Sequence, residues 1–344
     1  MSLEILTERE KDILESVIHY FILTGNPVGS RTLSKSKKNE LSAASIRNVM
    51  ADLEEKGYLN HPHTSAGRVP TTKGYRHYVD YLLKIVNLTQ REKELIKVNI
   101  GHFEGDVDFI LERTSQILAR ISNQLGVILT PRFDDGILEK LDIVSVTSDK
   151  VLIILSIKNG IAKTILLELK HDISPSSLEY VVQILNERLA GLKIKEIKKN
   201  FYERVQDLLN EKTGLIRLFI ESAGNLFDLS RFTDIKYTGT SNILTNPEFS
   251  DVSKFSALVE LFEDKKFIVH MLEKRNDPPG LRVTIGDENE ERSIQECSIV
   301  TAPYSLGDVD GVVGVIGPMR MVYKRIIPLV DYTALLITQM FKEK

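Results

Sequence analysis

The sequence is poor in the residues that usually announce chemistry. A single cysteine, Cys297, excludes an internal disulfide framework and fits a reducing compartment. It has no histidine nearby and sits in a strand-like run, so it reads as a buried structural thiol rather than a nucleophile. No GxSxG, HExxH or P-loop pattern occurs. Gly311, Gly314 and Gly317 form GxxGxxG, but inside an apolar strand rather than at a strand-to-helix turn, so close strand packing explains them. No apolar run approaches the roughly 18 residues of a membrane span; the longest, VLIILSI, ends at Ile157. The opening MSLEILTEREKD is acidic and lacks the apolar core of a secretory signal. The expectation is a folded cytoplasmic protein with no membrane partner, no catalytic residue, no metal and no cofactor. His61 and His63 flank Pro62, but two histidines without further ligands read as loop residues.

What is present is an uneven charge distribution. The net charge is −3, yet Arg31–Arg76 holds nine Lys and Arg residues against four acids, a local excess of +5. A basic segment on an acidic body has the form of a bounded phosphate-binding module.

The local pattern supports this. TERE at 7–10 is a capping box that starts a helix, with Ile13, Val17, Ile18, Phe21 and Ile22 on one stripe. TGNPVG ends it, and Ser30 is expected to cap a short second helix with Leu33 facing inward. Ser42 is the expected N-cap of a third helix, whose Ile46, Val49, Met50 and Leu53 share one face and whose end is marked by Gly57. The opposite face carries Ala44, Arg47, Asn48, Ala51 and Glu55, with Ser45 on its flank. Small side chains admit close backbone approach to a groove, and Arg and Asn can pair with guanine and adenine edges. Tyr58 and Leu59 then start a strand that Val69 returns, around a loop with Ser65, Gly67 and Arg68. Three helices and a hairpin in this order predict a helix-turn-helix with a β-wing. The amides near Ser30 and Arg31 would suit a phosphate. Arg68, with Lys73, Tyr75 and Arg76 of the following helix, would flank the same backbone.

LSAASIRNVMADLEEKGYLNHPHTSAGRVPTTKGYRHYVDYL resembles the recognition-helix and wing signature of the heat-inducible transcription repressor HrcA family. Ser45 stands where that pattern more often has Thr. TGTSNILTNPEF and GVVGVIGPMRMVYKRII resemble two further family motifs, with Met319 and Val322 in place of the expected Thr and Asp.

Beyond residue 89, where Thr89 and Glu92 form a second capping box, the pattern alternates. Strand-like runs flank Asn159-Gly160, the strongest hairpin signal in the chain, and Ser174-Pro175 opens a helix. Residues 193–277 read as mainly helical, and strands return after 278. The resemblance implies an α+β multidomain chain: a winged-helix DNA-binding domain over 1–86, a GAF-like α/β domain over 89–192 and 278–344, and a mainly helical dimerisation domain inserted over 193–277. It also implies a homodimer on an inverted-repeat operator of chaperone operons (the CIRCE element), repression relieved by heat, and the chaperonin GroEL as partner. A ligand-sensing GAF-type winged-helix regulator is the alternative.

Overall fold

The computed structural model describes residues 6–35, 41–62, 67–101, 107–158, 161–169, 173–210, 214–229, 233–249, 264–274 and 280–342, with isolated positions between 250 and 263. The fold is mixed α+β, with helices, a two-stranded hairpin and two larger sheets among those residues.

The N-terminal unit begins with α1 (Glu8–Thr24), α2 (Ser30–Ser34) and α3 (Ala43–Glu55). The Thr7–Glu10 capping box is present, and Gly25 ends α1 at φ +68°, a conformation a side chain would disfavour. Strands β1 (Leu59–Asn60) and β2 (Val69–Pro70) pair antiparallel, Leu59 opposite Pro70. The chain leaves through α4 (Thr72–His77), extended by a π turn over Tyr78–Leu82.

Helices α5 (Gln90–Gly101) and α6 (Val107–Ser122) lead to a five-stranded antiparallel sheet. Its strands are β3 (Leu125–Leu129), β7 (Ile235–Thr238), β8 (Arg282–Ile285), β9 (Cys297–Leu306) and β10 (Val309–Pro318), in the order β7-β3-β10-β9-β8. Both faces are covered. Ile128, Val313, Val315 and Val300 pack with α6 and the C-terminal helix Tyr323–Lys342, while Val127, Val312, Ile316 and Ile299 pack with Phe249 and helix Lys265–Glu273. Gly314 is needed by the sheet itself, because a Cβ there would lie 2.5 Å from the Val300 carbonyl oxygen. That is the close strand packing expected of GxxGxxG.

Between β3 and β7 the chain leaves this sheet and builds a second one. Strands β4 (Leu138–Thr147), β5 (Lys150–Ile157) and β6 (Ile161–Glu168) form an antiparallel meander. Val151, Ile153, Leu155 and Ile157 are buried on its inner face. Helix α7 (Pro175–Leu189) docks there, the Asn186 amide donating to the Leu141 carbonyl and its oxygen accepting from the Leu141 amide, both at 2.7 Å. Helices α8 (Ile194–Val205) and α9 (Leu215–Leu226) complete the excursion. The Asn159-Gly160 turn lies outside the described residues, but the strands on either side pair from Ile157 opposite Ile161.

The strand connectivity runs across the expected domain bounds. The excursion runs from after β3 to before β7, so it contains β4, β5 and β6, which lie within 89–192. Within 193–277, Ile235–Thr238 returns to pair with Gly126–Leu129. A meander is self-contained because its pairings are local, whereas β7 is a four-residue edge strand whose partner lies about a hundred residues earlier.

Candidate nucleic-acid interface

The α3 face forms from the inside out. Ile46, Val49, Met50 and Leu53 are buried against the rest of the unit, and the Ser42 hydroxyl caps the helix by accepting from the Ser45 amide at 3.1 Å. The Ser42 and Ser45 hydroxyls lie 3.0 Å apart, so the flank of the helix start is itself hydrogen-bonded. Burying that stripe turns Ala44, Arg47, Asn48, Ala51 and Glu55 to solvent. Arg31 of α2 is also exposed, and neither Arg31 nor Arg47 has an ion-pair partner among the described residues. Ser30 is half-buried and is the first residue of α2 rather than its cap. Gly29 takes the cap position, its carbonyl accepting from the Thr32 and Leu33 amides.

The hairpin lies beside this face. Arg68 and Val28 exchange two backbone hydrogen bonds of 2.8 and 2.9 Å, pinning β2 to the segment before α2. Gly67 makes that possible, since a Cβ would fall 2.4 Å from the Val28 carbonyl carbon. The Arg68 guanidinium is not extended into solvent: Nη2 meets the Glu54 carboxylate at 2.7 Å. Ser65 and His63 lie outside the described residues.

The remaining expected contacts divide. Lys73 is exposed but engaged, its ammonium donating to the Lys56 carbonyl at 2.7 Å and lying 4.4 Å from the Tyr58 ring centre. Tyr75 is 1% exposed, with its ring centre 6.1 Å from that of Tyr323, and burial pushes its hydroxyl pKa well above the ordinary value. Arg76 bonds Glu288 and the Val283 carbonyl. Both point to the five-stranded sheet, so the structure does not bring Tyr75 and Arg76 to the α3 face. Helix α4 is amphipathic, and aromatic-basic composition alone could not say which neighbour its faces meet.

Two ion pairs have no signature in the sequence. Glu54 holds Arg68, and Glu10 joins its capping box to Lys56 through a 2.6 Å ion pair. The only signal for Glu54 is its spacing of seven residues after Arg47, which places both on one edge of α3.

Among the described residues no three His, Cys, Asp or Glu side chains gather as a metal site, and no helix is long and apolar enough to cross a membrane. Cys297 is buried in β9, and burial pushes its thiol up to about 12.

A family profile described as HrcA protein C terminal domain matches residues 108–327. The chain is 37% identical over 344 residues to the heat-inducible transcription repressor HrcA of Syntrophobacter fumaroxidans, covering 98% of each. It is 38% identical over 333 residues to the protein of the same name from Chlorobium chlorochromatii, covering 96% of this chain and 95% of that one. A crystal structure of a hypothetical protein at 2.2 Å resolution superimposes with TM-score 0.63 at 22% identity, over 98% of this chain and 99% of that one, a likeness of fold.

Proposed function

The chain belongs to the heat-inducible transcription repressor HrcA family, and from that membership we propose that it is a homodimeric repressor of chaperone operons that binds an inverted-repeat operator. The carrying observation is the α3 face: Arg47 and Asn48 stand exposed between the small Ala44 and Ala51, on a helix whose start is fixed by the Ser42 cap. Such a face can enter a major groove, with Arg47 and Asn48 within reach of base edges. Ser30, Arg31, Ser42, Ala44, Ser45, Arg47, Asn48, Gly67, Arg68 and Lys73 form the proposed DNA surface. In this reading the N-terminal unit is a winged helix and the five-stranded sheet with its helices is the GAF-like domain. The excursion between β3 and β7 is the inserted dimerisation domain.

Dimerisation is supported by the outer face of the three-stranded sheet. Val144 and Leu166 are exposed there, with Leu152 set between them by strand register. A second copy is the occupant that an inverted repeat demands, because each α3 then meets an equivalent half-site. The CIRCE element as operator, GroEL as partner, release by heat and a cytoplasmic location rest on the family resemblance.

The test is selection from a pool of random duplexes by the full-length chain, followed by gel-shift titration with and without GroEL. Enrichment of an inverted repeat with half-sites about one helical turn or a multiple apart is the expected result. Enrichment of a single unrepeated site, or of nothing, would overturn the dimeric-repressor reading.

The ligand-sensing alternative has one observation of its own. A cavity of about 140 Å³ opens between helix Lys265–Glu273 and β8, with Phe267, Met271, Thr284 and Ile294 among its walls. A thermal-shift screen of metabolites against the full chain distinguishes the readings, since this one requires a compound that both raises the melting temperature and alters operator affinity.

A further inference from the structure

We propose that Glu54 is a specificity-determining residue: an exchangeable counter-ion that holds Arg68 closed until a phosphate displaces it. The proposal rests on the reading of the α3 face as the DNA surface. Glu54 lies on the same edge of α3 as Arg47, two turns along and about 10 Å away. It therefore sets a negative charge at the border of a surface that must meet phosphates.

The pair is built to exchange rather than to lock. Its side chains keep 21% and 33% of their exposure, so water screens the attraction and a competing anion can enter. One Glu54 oxygen meets one guanidinium nitrogen at 2.7 Å, and the Arg68 Nε–H is buried without a hydrogen-bond partner among the described residues. That donor is left over, so the guanidinium is not fully satisfied by Glu54. The Arg68 backbone cannot follow a phosphate, because Val28 holds it on both its N–H and its carbonyl. Only the side chain can swing, and Glu54 decides where it rests.

The consequence is a difference between loose and seated DNA. On a duplex of arbitrary sequence α3 does not seat, the pair stays closed, and Arg68 adds little to the counterion release that drives such binding. On a duplex where α3 is fully seated, a backbone phosphate reaches the guanidinium and replaces the carboxylate. Glu54 thereby weakens binding to bulk DNA more than binding to the selected site, which is specificity by difference.

The test uses full-length chains carrying Glu54→Gln, Arg68→Ala or both, titrated on a random-sequence duplex and on the duplex that the unchanged chain selects. Glu54→Gln should tighten random-duplex binding about five- to tenfold near 0.1 M salt and steepen its salt dependence by about one unit of slope. The gain on the selected duplex should be smaller, and the double variant should bind as Arg68→Ala does. An equal gain with Arg68 present or absent would show simple charge repulsion and overturn the exchange. Unchanged random-duplex binding would also overturn it, as would a lowered melting temperature with weaker binding, the mark of a structural brace. If the unchanged chain binds neither duplex, the DNA reading itself fails, a result separable from these.

Discussion

Arg76 of α4 and Glu288, which follows β8, form a two-pronged ion pair that joins the N-terminal unit to the five-stranded sheet. The Arg76 Nε donates to Glu288 Oε1 at 2.7 Å, and Nη2 donates both to the other carboxylate oxygen and to the Val283 carbonyl. Nη1 reaches Asp80 at 3.1 Å. A second arginine works at the end of α1, where Arg320 binds Glu248 and donates to the Ile22 carbonyl at 3.2 Å. The N-terminal unit is thus fixed to the sheet at two places rather than tethered by the 83–89 segment alone.

Breaking the first clamp should loosen that attachment. Arg76→Ala and Glu288→Gln should each cost about 1–2 kcal/mol, with a double-mutant cycle showing most of the loss shared. Proteolysis within 83–89 should quicken in both. Additive losses and unchanged proteolysis would mean that the pair is a surface contact of no mechanical consequence.

The capping box of α1 carries a pH dependence. Burial of the Glu10 carboxyl pushes its pKa up, but the bonds from Lys56 and Thr7 more than offset this and leave it below the ordinary value. A folded-state pKa below the unfolded one stabilises the protein above the unfolded value, and that contribution fades as pH falls through the folded one. The melting temperature should therefore drop as pH is lowered below 4.5, and Glu10→Gln should flatten that part of the profile. Glu10→Gln should also lose about 1 kcal/mol at neutral pH through the weakened cap. A superimposable acid limb in the variant would remove Glu10 from the account.

How far the sequence could be read follows from the range of the forces. Thr7, Ser42, Thr89 and Ser174 were legible as helix starts because a cap is satisfied within three residues. The α3 stripe was legible because burial repeats at helical spacing. Arg68 was legible as a hairpin residue but not as the partner of Glu54, a choice that depends on side-chain direction. Tyr75 and Arg76 meet Tyr323 and Glu288, partners more than two hundred residues away that no local pattern encodes. The borders of the excursion were hidden for the same reason: IKYT gives no sign that it pairs with β3 rather than with a neighbouring hairpin.

Cys297 should be chemically silent in the native protein. Desolvation in β9 holds its thiol protonated, with the pKa pushed up to about 12. Iodoacetamide at pH 8 should leave it unmodified until denaturant is added. Labelling of the native chain at the rate of a free thiol would show that β9 opens.

The proposed base reading by α3 is tested at Asn48. Asn48→Ala should cost about 1–3 kcal/mol on the selected duplex and little on random DNA, because a bidentate adenine contact exists only where adenine is present. Equal losses on both duplexes would place Asn48 among the backbone contacts. Arg47→Ala offers the same comparison with guanine.

The outer face of the three-stranded sheet is open to a second copy of the chain. Its inner face is filled by α7, yet Val144 and Leu166 remain 49% and 55% exposed on the other side. Register makes them neighbours: Leu152 pairs with Val144 on one side and Leu166 on the other. Contiguous apolar patches on a sheet mark association surfaces. Leu166→Glu would set a charge in the middle of a dimer interface but would stand in solvent on a monomer. Sedimentation should show the unchanged chain as a dimer and Leu166→Glu as a monomer, with the melting transition of the isolated subunit retained. Affinity for an inverted repeat should fall by at least tenfold while binding to a half-site duplex is kept. A Leu166→Glu chain that remains dimeric would move the interface elsewhere, and the exposed groove beside Ile85, Tyr332 and Leu335 would be the next surface to mutate.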